Sequence, residues 1–244
     1  MPFGESMKLS IIIPTLNEAE YLASTIKCLK KNSKLENSYE VIVIDSDSTD
    51  GTCDIALKFG AILIKSEVTS RGRASVLNQA AESASGDVLL FLDADTFAPN
   101  GYDKLIDAAL SNPRVIGGAF EFALDGAEFG LRVVELINRI RYRIRQRYYG
   151  DQGIFVRSQV FKRVGGYPQI GLLEAAHLCK NLRKAGKLKL IKENMRTSPR
   201  RFLDRGIYRV LAGDIKIWFL DLIGINVDKY ADSYWKENEL RSKN

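Results

Sequence analysis

G-D-V-L-L-F-L-D-A-D, Gly86–Asp95, is a strand-length apolar run that ends abruptly in two carboxylates. Asp87–Leu92 reads as the strand, apolar on both faces, as in a parallel sheet covered by helices on either side. Asp93 and Asp95 leave its end two residues apart. Carboxylates so placed can share one hard cation, Mn²⁺ or Mg²⁺, with water and substrate phosphate filling the remaining positions. A solvated acidic loop is the plainer alternative, and the buried strand in front of the pair weighs against it.

Working upstream, Leu9–Ile13, Glu40–Ile44 and Ala61–Lys65 read as strands, and Ala19–Lys31, Thr49–Phe59 and Arg73–Ala84 as the helices between them. Such alternation predicts right-handed crossovers, with ligands at the carboxyl ends of the strands. The polar clusters fall at those ends. In I-I-P-T-L-N-E (Ile12–Glu18), Pro14 is expected to stop the first strand, leaving Asn17 and Glu18 to reach a ligand or cap the next helix. In D-S-D-S-T-D-G-T (Asp45–Thr52), Asp45 or Asp47 accepts from a base or ribose, forms a capping turn, or does both. R-G-R-A (Arg71–Ala74) opens the third helix, where arginines add charge to an anion site made by free N–H groups. No glycine-rich phosphate loop follows the first strand, so phosphate handling falls to a metal at Asp93 and Asp95.

Downstream, Tyr102–Leu110 is a helix and Val115–Phe122 a strand, followed by a long basic segment, Phe129–Tyr149. Gly153–Arg157 and Leu188–Ile191 are strands, Glu174–Ala185 is a helix, and one or two amphipathic helices follow from Phe202. This gives one domain over residues 7–201, with 202–244 as a helical extension of it. R-I-R-Y-R-I-R-Q-R (Arg139–Arg147) fits a strand or a helix by period. Val133, Ile137, Ile140, Ile144 and Tyr148 share one helical stripe, which favours the helix. Its arginines read a phosphorylated or lipid-phosphate acceptor, rest on an anionic membrane, or form a solvated face.

The composition is that of an ordinary globular chain: 244 residues, 45% hydrophobic and 27% charged, enough for a core without disulfides. Cys28, Cys53 and Cys179 show no metal-ligand spacing and read as reduced core thiols. There is no apolar run of about 18 residues and no signal-peptide pattern, so the expected place is the cytoplasm, free or peripheral on the inner face of the membrane. The net charge is +6, but the lysines are scattered and no recognition motif appears, so nucleic acid is not expected as a partner.

In order, I-I-P-T-L-N-E, D-S-D-S-T-D-G-T, N-Q-A-A (Asn78–Ala81), G-D-V-L-L-F-L-D-A-D and V-G-G-Y-P (Val164–Pro168) resemble the family 2 glycosyltransferases of GT-A fold. R-G-R-A and Y-G-D-Q-G-I-F-V-R (Tyr149–Arg157) resemble one prokaryotic subgroup, and the likeness spans Lys8 to Arg201. It implies an α/β fold with a mixed, mostly parallel sheet and helices on both faces. It implies metal-dependent hexosyl transfer from a UDP- or GDP-sugar to an acceptor hydroxyl, with inversion. Pro14, Thr15, Asn17, Glu18 and Asn78 would then belong to the nucleotide-sugar site, with Asp45 at the base and Arg71 or Arg73 near the base or phosphates. Asp93 would lie by the ribose and Asp95 would ligate the metal, while Asp151 and Gln152 would face the sugar or the acceptor.

One departure stands out. The family opens the helix after G-G-Y-P with an Asp general base, whereas this chain has L-L-E-A-A-H (Leu172–His177). Glu174 matches the preceding acid, and Ala175 stands at the position of the base. Glu174, or else Asp151, is expected to take the proton; the alternative is a nucleotide-sugar-binding protein with weak or lost transfer. His177 is placed one turn on to pair with Glu174, and restoring Asp at 175 is expected to keep or raise activity.

Overall fold

The computed structural model describes residues 7–35, 39–67 and 72–231. Parallel strands β1 (Leu9–Thr15), β2 (Tyr39–Asp45), β3 (Ile62–Lys65) and β4 (Val88–Phe91) alternate with α1 (Ala19–Asn32), α2 (Thr52–Lys58) and α3 (Arg73–Glu82). There follow β5 (Thr96–Phe97), α4 (Tyr102–Leu110), β6 (Val115–Leu124), α5 (Phe129–Arg145) and a 3-10 turn at Gly150–Gln152. Beyond it come β7 (Ile154–Arg157), α6 (Ser158–Arg163), α7 (Glu174–Ala185), β8 (Lys187–Thr197), α8 (Arg200–Arg205) and α9 (Ile207–Leu222). The strands form one sheet in the order β3-β2-β1-β4-β7-β6-β8-β5, with β7 antiparallel to both β4 and β6.

Alternation along the strands separates two cores. Ile11, Ile13, Val41 and Val43 pack with Leu22 and Ile26 of α1 and Tyr102 and Ile106 of α4. Ile12, Ile42 and Ile44 share the opposite face with Leu77 of α3, Leu178 and Leu182 of α7, and Val210 and Leu211 of α9. Because the strand order reverses between β2-β1 and β1-β4, the crevice that such a switch point provides is placed at the carboxyl ends of β1 and β4.

Several elements differ from the expectation. Pro14 does not stop β1, which runs to Thr15 with Pro14 opposite Ile44. Ile12 faces β4, accepting from the Leu92 N–H, and Pro14 faces the same way, beyond the last β1–β4 pair at Ile12 and Phe91. The missing N–H therefore costs no ladder bond. Helix α2 starts three residues late, since Ser48 N–H is held by Asp45 and Thr49 N–H by Asn17. Strand β8 extends to Thr197 because, after a bulge, it pairs with Glu121–Leu124 of β6. The β5 strand and the α6 helix were not foreseen.

The basic segment is a helix to Arg145, and its expected stripe is buried only in part: Val133, Ile137 and, beyond the helix, Tyr148 pack on the core. Ile140 and Ile144 are 53% and 72% exposed, while Leu131, Val134 and Tyr142 face the core. Buried Glu121 of β6 sets this rotation by accepting from Tyr142 and Arg143, with Arg139 Nε 3.6 Å away as a second ion-pair partner. Two of the arginines thus neutralise an interior carboxylate rather than forming a free basic face.

Candidate active site

Four of the acids expected at the crevice, Glu18, Asp45, Asp93 and Asp95, are matched to a cation. At the end of β1, Thr15 donates to Asp45 Oδ1 at 3.1 Å, and Ser48 N–H donates to Oδ2 at 2.9 Å. Lys65 Nζ lies 3.1 Å from the same oxygen. Burial raises the Asp45 pKa, but the hydrogen bonds from Ser48 and Lys65 outweigh it and hold the carboxyl below its ordinary value. Asp45 therefore ties the ends of β1 and β3 to the 46–48 loop, and its exposed partner is Lys65. Asn17, at φ 55°, accepts from Thr49 N–H at 2.9 Å through its side-chain oxygen, and its own backbone N–H donates to Ser48 Oγ at 2.8 Å. The side-chain oxygen and the backbone N–H of Asn17 thus both go to the 46–49 loop.

Glu18 precedes α1 but makes no cap; Asp50 accepts from Ala19 N–H instead. Arg200 Nη2 donates to both Glu18 oxygens, at 2.7 and 2.8 Å, while its Nε lies 2.9 Å from Asp95 Oδ2. Asp95 is 8% exposed and also accepts from Thr197 at 3.3 Å. Desolvation first, then neighbouring acids, raise the pKa of both Glu18 and Asp95 against the pull of Arg200. Two carboxylates share one guanidinium, with Asp93 close enough to repel them. Arg200 was missed in the sequence; its signal was S-P-R-R (Ser198–Arg201) directly after the last strand.

Asp93 pairs with Arg73, whose Nε has no partner among the described residues. Burial would lower the Arg73 pKa, yet Asp93 and then Glu174 hold it above the ordinary value. Arg71 lies outside the described residues. A Cβ on Gly150 would sit 3.2 Å from Arg73 Nη2 and from Asp93 Oδ1, so glycine lets the 3-10 turn close against this pair. The next residue, Asp151, forms no hydrogen bond or ion pair among the described residues. Burial first, then Asp93, push its pKa up to about 7 against Arg141 and Arg201. Glu174 opens α7 beyond Leu173, and its pKa is raised by burial, opposed chiefly by Arg73. Asp151 and Glu174 thus both feel the charge of Asp93.

Three expected contacts fall elsewhere. Asn78 accepts from Tyr167 N–H at 2.8 Å and donates to Tyr167 O at 2.9 Å, so both polar ends lock the V-G-G-Y-P turn rather than a nucleotide. Gln152 is 1% exposed, donating to Phe120 O and accepting from Tyr149 N–H, so it pins the 3-10 turn to β6 and does not face a sugar. His177 pairs with Asp221 of α9 at 2.7 Å, not with Glu174, and Arg147 meets the same carboxylate. Ala175 is buried in the main apolar cluster, so its Cβ position lies against the core.

A parallel nucleotide-fold half, joined through an antiparallel strand to a second half with paired carboxylates at the seam, is the GT-A class of transferase. Similar solved structures share this fold. The *Mycobacterium tuberculosis* glucosyl-3-phosphoglycerate synthase with Mn²⁺ and UDP-glucose gives a TM-score of 0.64 at 20% identity, covering 90% of this chain and 80% of that one. The *Pyrobaculum calidifontis* mannosyltransferase PcManGT with GDP-mannose and Mn²⁺ gives 0.60 at 22% identity, covering 79% and 57%. Glycosyltransferase AglE of *Haloferax volcanii* is 30% identical over 234 residues, 89% of this chain and 76% of that protein. Dolichol-phosphate mannosyltransferase of *Pyrococcus furiosus* is 32% identical over 126 residues, 47% of this chain and 36% of that protein. The description "Glycosyl transferase family 2" matches residues 10–163, and the chain belongs to that family as a hexosyltransferase-type glycosyltransferase.

Proposed function

We propose that the protein transfers a hexosyl group from a nucleoside-diphosphate sugar, UDP- or GDP-linked, to an acceptor hydroxyl with inversion at the anomeric carbon. The observation that carries this reading is the convergence of Glu18, Asp93 and Asp95 on a crevice where one guanidinium, Arg200, serves two of them. Burial first, then the neighbouring acids, raise the pKa of both shared acids against the pull of Arg200. The set fits a divalent cation held by Asp95, with Asp93 or Glu18 beside it. Among the described residues no group of three or more His, Cys, Asp or Glu side chains is placed to hold a metal, so diphosphate oxygens and water would have to complete the coordination. Mn²⁺ or Mg²⁺ bound there would act as a Lewis acid on the leaving diphosphate.

The chain's own groups supply the rest. Asp45 offers a carboxylate to a base N–H in place of Lys65, and Asn17 holds the loop that shapes the base slot. Arg73 positions Asp93 and faces the phosphates. Asp151, with a pKa of about 7 and no internal partner, accepts the acceptor's proton, a task best served by a base titrating near the working pH. Glu174 is the second candidate, favoured by its place in the first turn of α7 and its charge contact with Arg73.

A second reading, a nucleotide-sugar binder with lost transfer, rests on Ala175. Incubation with UDP- and GDP-sugars and Mn²⁺ separates the two. Release of nucleoside diphosphate that disappears in Asp95→Ala supports transfer. Binding without any turnover overturns it.

A further inference from the structure

Of the thirteen large apolar side chains exposed among the described residues, ten lie on α5, α8, α9 and the turn after α9. Helices α5 and α9 run side by side in the same direction. A Cβ on Gly130, near the start of α5, would meet Ile207 Cδ1 at 3.0 Å, and Arg147, just past its end, pairs with Asp221 near the end of α9. On α5 the exposed residues are Phe129, Leu136, Ile140 and Ile144. Along α9 and just past it they are Tyr208, Ile215, Phe219 and Ile223, at the same intervals. Each set follows one helical stripe, so two apolar ladders lie abreast and outward.

The exposed charges on α5 and α9 themselves have one sign, the nearest exposed acids along the chain being Glu128 just ahead of α5 and Asp204 on α8. Arg145, Arg209 and Lys216 are exposed, and Arg132 and Arg143 remain about half exposed although paired. Every acid on the two helices is turned to an internal partner: Glu135 to Leu124 N–H and Arg132, Asp214 to Arg201, and Asp221 to Arg147 and His177. Held in this way, the acids leave the outer face basic.

We propose that the α5–α9 face docks on an anionic lipid bilayer, its apolar ladders at the acyl boundary and its basic side chains among headgroup phosphates. No described helix is long and apolar enough to cross a membrane, so the contact is peripheral. A second copy fits less well, because two-fold pairing would set the same arginines against one another. The face is linked to the candidate site, since α5 carries Arg141, whose charge reaches Asp151, and α8, leading into α9, carries Arg200.

The test is flotation of the full chain with vesicles of phosphatidylcholine alone or mixed with phosphatidylglycerol. Binding is expected to the mixed vesicles only, and to weaken as salt rises. The triple variant Ile140→Glu/Ile144→Glu/Phe219→Glu should bind at least about tenfold more weakly, since burying one large apolar side chain is worth a factor of that order. Its nucleotide-induced melting shift, read without vesicles, should match wild type, which separates docking from the donor reading. Arg145→Glu/Lys216→Glu, which keeps the apolar ladders, should weaken binding to the mixed vesicles, and it decides the matter if the triple variant misfolds. Wild type that stays with the pellet, variants that float like wild type, or a wild-type dimer dissolved by the triple variant would overturn the proposal.

Discussion

Arg200 reaches across from α8 to set its Nε 2.9 Å from Asp95 Oδ2, the carboxylate proposed above to hold the metal. The same guanidinium holds Glu18 with two hydrogen bonds and lies over the Tyr21 ring, 4.5 Å from its centroid. A tethered cation neutralises these acids in the fold and would compete with a metal ion bound there. Arg200→Ala should therefore lower the melting temperature without metal, because the half-buried acids lose their counter-charge. Added Mn²⁺ should restore more of that loss than it adds to wild type. Equal Mn²⁺ effects in the two proteins would show that Arg200 does not share the metal's position.

Asp95→Ala should abolish Mn²⁺-dependent nucleoside-diphosphate binding while the protein stays folded. Asp95 lies past the end of β4, and its loss frees Arg200 and Thr197, which can turn to Glu18 or water. Titration calorimetry with UDP and GDP, with and without Mn²⁺, reads this directly. A folded variant that keeps full metal-dependent affinity would sink the assignment.

Asp45→Ala should act twice. It strips partners from the Ser48 N–H and the Thr15 hydroxyl, costing about 1–3 kcal/mol of stability. It should also weaken nucleotide binding by a similar factor. Lys65→Met removes only an exposed partner and should leave nucleotide affinity at wild-type level or above. If Asp45→Ala melts early yet binds nucleotide normally, Asp45 is a staple alone.

The parallel half and its crevice were legible because helix and strand periods, strand-end acids and the G-D-V-L-L-F-L-D-A-D run all point the same way. What escaped were long-range partners. No local pattern says that Asn78 bonds the Tyr167 backbone 89 residues on, or that Arg200 crosses to Glu18 over 182 residues. Sequence spacing paired His177 with Glu174, but α9 brings Asp221 to it from another helix. The α5 stripe misled for a related reason: one buried acid, Glu121, fixed which side of the helix turns inward.

Position 175 corrects an expectation. Glu174 faces Arg73, whereas Ala175, about 100° further round the helix, is buried with Leu178 and Leu182. In this packing Ala175→Asp sets a carboxylate against apolar side chains, so it should lower the melting temperature rather than restore a base. A variant as stable as wild type and more active would show that the residue turns to the crevice when substrate binds.

The last prediction separates the two candidate bases by pH. Asp151, with a pKa near 7, must lose its proton to act, so kcat/KM should rise with pH through about 7 and level off above it. Asp151→Asn should cut turnover about 10²–10⁴-fold and remove that rise, with donor affinity nearly unchanged. The same shift makes a second, independent reading. A carboxyl whose folded pKa lies above its unfolded value adds stability that is complete below the unfolded value and lost as pH climbs through the folded one. The ionised Asp151 thus works against the fold at pH 8, and Asp151→Asn should raise the melting temperature there relative to wild type more than at pH 5. Glu174→Gln, which leaves Asp151 in place, should change the level of the rate without moving the inflection far. If Glu174→Gln instead abolishes turnover and the inflection, while Asp151→Asn keeps both, the proton goes to Glu174, and Asp151 serves only to shape the charge around Asp93.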